Sequence, residues 1–337
     1  MTQRRAWADV VYEAVAPGVY RIPVEMPGDA LEATNVYAVV GANEVGLVDA
    51  GWFAGGAMGD LERGLEAVGA DIDAVTTVAV THIHPDHYTL AVELMRSRGC
   101  AVYLGGAERT SLAAIHATDR GRADFVASLV RCGVSAEQVE AYWRSNAEAD
   151  KYAPPTGWLS DGDEVRLGDL TVEAVETPGH TRGHICFAAD EVDVLFTGDH
   201  ILPGITPSVG FEPSDHQHRS LVDYLDSLAR VRKRRDSVML PAHGPVKTSV
   251  HERVDELLAH HEMRLGQCGD AVAAGARTAF EVAKSVPWTK KERSLDELGS
   301  MDQLMAVHET RAHLEVLDLQ GRVRRASDGE VDEYVVA

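Results

Sequence analysis

The segment His82-Ile83-His84-Pro85-Asp86-His87 places three imidazoles and a carboxylate within six positions, directly after the apolar run Ala74–Val80. Such a cluster is costly as packing and well suited to holding cations, because imidazole and carboxylate are the common protein ligands of zinc and also serve manganese, iron and cobalt. If the strand direction persists briefly, His82 and His84 project to one side. Pro85 then turns the chain and brings Asp86 and His87 toward a neighbouring position. Two adjacent metal positions are implied, and one short loop cannot complete both. Three further residues stand where a β-rich run meets a Gly or Pro turn: His180 in ETPGHTRGH, Asp199 in TGDH and His243 in PAHG. Loops that converge from several strand ends are the usual way a layered α/β protein builds a site.

With those residues placed, the chain resembles the metallo-β-lactamase-fold hydrolases, matching their motif series from Asp49 through THIHPDH, His180, Asp199 and His243, over about Val19 to Val246. The resemblance implies an α/β fold, a four-layer αββα sandwich. It also implies that His82, His84 and His180 hold one metal, that Asp86, His87 and His243 hold the second, and that Asp199 bridges both. The cofactor expected is two Zn2+, with Mn2+ or Fe as alternatives. Two such ions share a water and supply hydroxide near pH 7, with Asp86 as the catalytic residue that orients it and passes a proton. Hydrolysis of an ester, thioester or lactone is the expected reaction.

GDHILPGITP, PAHGPV and the C-terminal HETRAHLEVLDLQGRV further resemble the β-lactamase-like hydrolases with a winged-helix-like tail. That group includes polyketide acyl-carrier thioesterases, ester and lactone hydrolases and a mitochondrial endoribonuclease, so the expected partner is a small-molecule or acyl-carrier-bound substrate. Phosphodiester or RNA cleavage by the same fold, a mononuclear iron dioxygenase, and DNA binding through the tail are the alternatives.

The elements that must position these groups read as follows. Gly18 to Gly51 is a hairpin or meander, Gly59 to Gly69 a helix, and Ala74–Val80 a strand. After the histidine segment, TLAVELMRSRG is a helix and AVYLGG a strand. From Ala107 to Tyr152 the text is helical, and a helical insertion is expected over about 107–158. Strands resume in DEVRLGDLTVEAVET, ICFAADEVDVLFTGD and SVMLPAHG, so two similar halves are expected to form a sandwich over residues 1–249. Residues 250–337 read as three helices and a hairpin, a winged-helix-like domain, with Leu304, Val307, Leu314 and Leu317 as a buried stripe.

Composition narrows the classes. Fifty-three Asp and Glu against 32 Lys and Arg give a net charge of −21, which disfavours nucleic acid as a partner. The last helix carries Glu309, Glu315 and Asp318, which disfavours phosphate contact there too. The tail is expected to pack on the catalytic domain or to support a homo-oligomer. The basic run Arg230 to Arg235 closes a helical pattern and reads as a capped, solvated helix end. No apolar stretch approaches a membrane span and no secretory signal opens the sequence, so no membrane partner and a cytoplasmic location are expected. Cys100, Cys132, Cys186 and Cys268 lie too far apart for a thiolate zinc site and are expected to be buried and reduced. His184 reads as a supporting or packing residue, and His200 as either a pocket or a bracing residue. His216 and His218 read as solvent-exposed beside the entrance. His116, Tyr142, Trp143, Tyr152 and Trp158 read as core or as an apolar pocket wall.

Overall fold

The computed structural model describes residues 6–142, 149–210, 219–326 and 329–337. The chain forms two compact units.

The first unit comprises Met1–Leu112, Glu148–Pro207 and Ala229–Val254. Its opening strands are β1 (Glu13–Ala16), β2 (Val19–Glu25), β3 (Ala33–Val40) and β4 (Val45–Val48). These form the expected antiparallel meander. Helix α1 (Ala57–Ala67) then returns the chain to β5 (Val75–Ala79), α2 (Pro85–Arg98) leads to β6 (Ala101–Gly105), and α3 (Glu108–His116) follows; the next two helices, α4 (Thr118–Arg131) and α5 (Ala136–Tyr142), belong to the second unit. Strand β7 (Gly157–Leu159) completes a seven-stranded sheet in sequential order, in which β4 to β7 run parallel. The helical reading of 107–158 therefore overran by a strand: Gly-Trp-Leu is too short to show a period, and its pairing with β6 decides its state.

A second, five-stranded sheet is ordered β12-β11-β10-β9-β8, from β8 (Glu164–Leu167), β9 (Leu170–Glu176), β10 (Ile185–Ala189), β11 (Val194–Gly198) and, after helix α6 (Ser220–Lys233), β12 (Val238–Pro241). The two sheets bury one shared apolar layer. Tyr37, Val39, Val48 and Ala79 from the first meet Val165, Leu167, Phe187, Phe196 and Leu240 from the second. Gly46 marks a point of close approach, since a Cβ there would sit 2.4 Å from the Leu167 Cα. The basic run at the end of α6 is largely exposed, as expected, and pairs at the surface: Arg230 with Asp161 at 3.1 Å, Arg234 with Glu173 at 2.9 Å and Arg235 with Asp193 at 2.9 Å.

The second unit comprises Ala113–Ala147, Ser208–Leu228 and Asp255–Ala337. Within it, α7 (Val250–Ala273, from Asp255 onward), α8 (Ala279–Ser285) and α9 (Ser300–Leu319) are followed by the antiparallel pair β13 (Val323–Arg325) and β14 (Tyr334–Val336). Helix α8 opens on a capping box between Thr278 and Glu281. The stripe Leu304, Val307, Leu314 and Leu317 is buried as expected, but so are His308, Thr310, Arg311 and His313, so α9 is covered on more than one face. The His313 Nδ1–H donates to the Glu309 carbonyl at 2.7 Å, which leaves Nε2 to accept from the His261 Nδ1–H at 3.1 Å.

All four cysteines are free and buried. Burial lifts the Cys132, Cys186 and Cys268 thiols to about 12, which favours their protonated form. Among the described residues no helix is long and apolar enough to cross a membrane.

Two outcomes follow. Gly46→Ala forces a methyl against backbone and should destabilise the sandwich by about 1–3 kcal/mol, read as a lower urea midpoint. Burial also drives the His308 pKa down to about 3 and that of His313 to about 4, whereas an unfolded imidazole takes its proton near ~6.5. Below that value the unfolded chain binds more protons, so stability should fall as pH drops from about 6.5 toward 4. A His308→Leu variant should show a shallower fall in its denaturation midpoint over the same range.

Candidate metal centre

Strand direction explains why the histidines and aspartates meet. Strands β4, β5 and β6 run parallel, and β9, β11 and β12 share one direction because β10 is antiparallel to both of its neighbours. Asp49, the His82–His84 turn, His180, Asp199 and His243 all follow the C-terminal ends of such strands, and His184 precedes the N-terminal end of β10 at the same rim. Gly105 lets the His180 loop come close, since a Cβ there would sit 2.0 Å from the Gly183 carbonyl oxygen. Helix α2 begins at Pro85, earlier than the sequence pattern suggested. Proline suits the first helical position, and Asp86 and His87 therefore occupy the first turn rather than a loop.

The seven expected residues form two adjoining clusters. In the first, His82 Nε2, His84 Nδ1 and His180 Nε2 lie 3.0–3.2 Å from one another. A tetrahedral ion with bonds of about 2.0–2.1 Å holds nitrogens roughly 3.3 Å apart, so this spacing fits a cation above the three atoms. In the second, Asp86 Oδ2 lies 3.3 Å from both His87 Nε2 and His243 Nε2. Asp199 faces both clusters, with Oδ1 3.3 Å from His243 Nε2 and Oδ2 3.6 Å from His180 Nε2. His87 Nε2, His243 Nε2 and Asp199 Oδ1 are buried without a hydrogen-bond partner, an arrangement that is costly unless a cation completes it. The donor set and its geometry thus fit a pair of divalent ions.

Tautomers are fixed from behind. His87 Nδ1–H donates to Asp49 Oδ2 at 2.9 Å, and His243 Nδ1–H donates to the Ala33 carbonyl at 2.9 Å, so each ring turns Nε2 inward. Asp49, at φ +59, also accepts from the Thr81 backbone N–H at 2.8 Å. Burial disfavours charge on the first cluster: the His82 pKa falls well below its usual value and that of His84 drops to about 3, with neighbouring imidazoles adding to the effect. In the second cluster burial acts the same way but the carboxylates outweigh it. Asp199 and Asp86 lift His243 to about 10, Asp86 and Asp49 hold His87 well above its usual value, and the rings keep Asp86 ionised far below the carboxylate range.

His184 is a bracing residue, as expected. Its Nε2 accepts the Asp199 backbone N–H at 3.2 Å, its Nδ1 meets Thr177 Oγ1 at 2.8 Å, and its ring stacks on His82 at 5.1 Å. His200 is fully buried, and burial lowers its pKa to about 3. Thr81 and Thr177, which support these rings, carried no sequence signal beyond flanking the motifs. Tyr152 is buried, and Trp158 lies under the Arg109 guanidinium at 4.9 Å. His116 is exposed. His216, His218 and Trp143 lie outside the described residues, as does the side chain of Tyr142.

Comparison with known proteins agrees with this geometry. A beta-lactamase domain protein from Burkholderia ambifaria superposes with a TM-score of 0.82 at 26% identity, over 100% of this chain and 96% of the other. The lactamase-like protein nscB of Aspergillus fumigatus is 35% identical over 155 residues, 41% of this chain and 44% of its own length. Atrochrysone carboxyl ACP thioesterase AgnL7 of Paecilomyces divaricatus is 32% identical over 110 residues, 33% of this chain and 32% of its own. The chain thus spans less than half the length of these fungal relatives. The family model of the metallo-beta-lactamase superfamily matches residues 30–243, from the segment before β3 to the last of the clustered histidines; the chain belongs to the metallo-β-lactamase superfamily.

Proposed function

We propose that the protein is a binuclear metal-dependent hydrolase that cleaves a carboxylic ester, thioester or lactone, with an acyl-carrier-bound thioester as the favoured substrate. The observation that carries this reading is Asp199, whose two oxygens face two separate clusters. His82, His84 and His180 would hold one ion, Asp86, His87 and His243 the other, and Asp199 both. Zinc suits this donor set best, with manganese or iron as alternatives. Bound there, two divalent ions lower the pKa of water toward neutrality and polarise a carbonyl oxygen.

The residues do the rest. Asp86 Oδ2 belongs to the second cluster, so Oδ1 is the oxygen we assign to orienting the attacking water and taking its proton. Thr34 Oγ1–H, 3.4 Å from Asp86 Oδ2, helps to hold that carboxylate in place. His84, the most exposed of the seven, marks the open side of the pocket, while His82 and His87 are sealed from water. The name of the fungal ACP thioesterase supports the thioester over the phosphodiester, and the −21 charge supports a substrate other than RNA. Residues 250–337 we take as a winged-helix-like module without a nucleic-acid role.

The test combines elemental analysis of protein purified without added metal with a panel of aryl ester, acyl thioester, lactone and bis-aryl phosphodiester substrates. About two zinc ions per chain, with thioester or ester turnover abolished by chelation and restored by zinc, is the expected result. Phosphodiester turnover alone would replace this reading with a nuclease, and one iron with no hydrolysis would replace it with an oxygenase. Asp49→Asn, which removes the charge behind His87, should weaken binding of the second ion about 10–100-fold in a chelator-competition titration while the first ion is retained.

A further inference from the structure

The loop that carries His243 is gripped from a single strand of the opposite sheet. On β3, Asn35 donates its side-chain Nδ2 hydrogens to the Pro241 and Gly244 carbonyls, each at 2.8 Å. The Asn35 backbone N–H donates to the Ala242 carbonyl at 2.7 Å. The Tyr37 hydroxyl donates to the Pro241 carbonyl at 2.7 Å, and His243 itself donates Nδ1–H to the Ala33 carbonyl at 2.9 Å. The residues on both sides of His243 are therefore fastened to β3, and Asn35 supplies three of the five bonds.

The amide can point only one way. Arg21 Nη1 donates to Asn35 Oδ1 at 2.9 Å. A guanidinium has nothing but donors and a carbonyl nothing but acceptors, so Oδ1 must face Arg21 and Nδ2 the loop. Arg21 is 2% exposed and finds its other partners in Glu13, at 2.7 Å, and the Trp7 carbonyl, at 3.0 Å. Among its bonds, the one to Asn35 Oδ1 is what fixes the amide. None of these bonds reaches His82, His84 or His180.

We propose that Asn35, its amide oriented by Arg21, is a positioning residue that sets the cation affinity of the cluster containing His243 and leaves the His82, His84 and His180 cluster untouched. The inference rests on the two-ion reading above. Asn35→Asp keeps the size and the Arg21 contact but turns an acceptor on two carbonyls, which should displace the loop. Zinc alone, titrated by calorimetry into the demetallated full-length chain, provides the readout.

Wild type should show two binding steps. Asn35→Asp should weaken one of them about 10–100-fold and leave the other within about twofold. Equal affinities for both ions in wild type and Asn35→Asp would overturn the inference and spare the two-ion reading. Loss of both steps in parallel would also overturn it, because that marks a general role in folding. Fewer than two ions in wild type would overturn the two-ion reading and the inference together. Should Asn35→Asp fail to fold, Arg21→Gln carries the test, since it keeps the amide hydrogens but frees the amide to turn. A smaller loss confined to the same step is then expected, and wild-type affinity would overturn the inference.

Discussion

The constraint on which the rest depends is the mutual approach of lone pairs in a buried pocket. Three imidazole nitrogens within 3.2 Å of one another, and two more facing carboxylate oxygens, make an arrangement that neutral rings do not adopt for packing. His87 Nε2, His243 Nε2 and Asp199 Oδ1 are buried without a hydrogen-bond partner, which costs free energy at each atom. Protonation could relieve only part of it, since an imidazolium in the first cluster would face two other rings. A divalent cation at each cluster would relieve it, and the surrounding bonds keep the groups aimed at those positions.

Those devices belong to the sandwich itself. Parallel strand ends deliver Asp49, His82 and His84 from one sheet and His180, Asp199 and His243 from the other to one rim. Glycine permits the approaches that finish the pocket. Gly198, at φ +50, has no room for a Cβ, which would lie 2.6 Å from His184 Nε2. The His243 loop is bonded to β3 of the opposite sheet, its carbonyls accepting from Asn35 and Tyr37 and its imidazole donating to the Ala33 carbonyl, so the apolar layer between the sheets also bears on the spacing between the clusters. Site geometry and core packing are thus one problem, and a methyl added at Gly46 would be felt at both.

Much of this was legible in the sequence because the relevant signals are local. His-x-His-x-Asp-His after an apolar run, and a His or Asp at each later strand end, identified all seven converging residues. The helix start at Pro85 was harder to read. Asp86 and His87 look like loop residues until one notes that proline at the first helical position favours a helix that already contains them. Strand β7 is defined by its partner rather than by its own three residues. Asn35 left no mark at all: in ATNVYAVV it is one polar residue in a buried strand. Its partners Pro241, Ala242 and Gly244 lie more than two hundred residues away, and no spacing rule links them.

The supports are distributed unevenly, and charge explains the asymmetry. In the first cluster burial lowers the proton affinity of His82 and His84, so both rings favour the neutral form that a cation needs. The second cluster contains Asp86 and shares Asp199, and these carboxylates favour the charged form of His87 and His243. A cation held there would compete with protons for Nε2, so the alignment of the rings matters. Alignment is what Asp49 gives His87 and what Ala33 and Asn35 give His243 and its loop. At His243 the alignment comes from five hydrogen bonds between its loop and β3, so the buried polar groups of that strand face the rim where the seven residues converge.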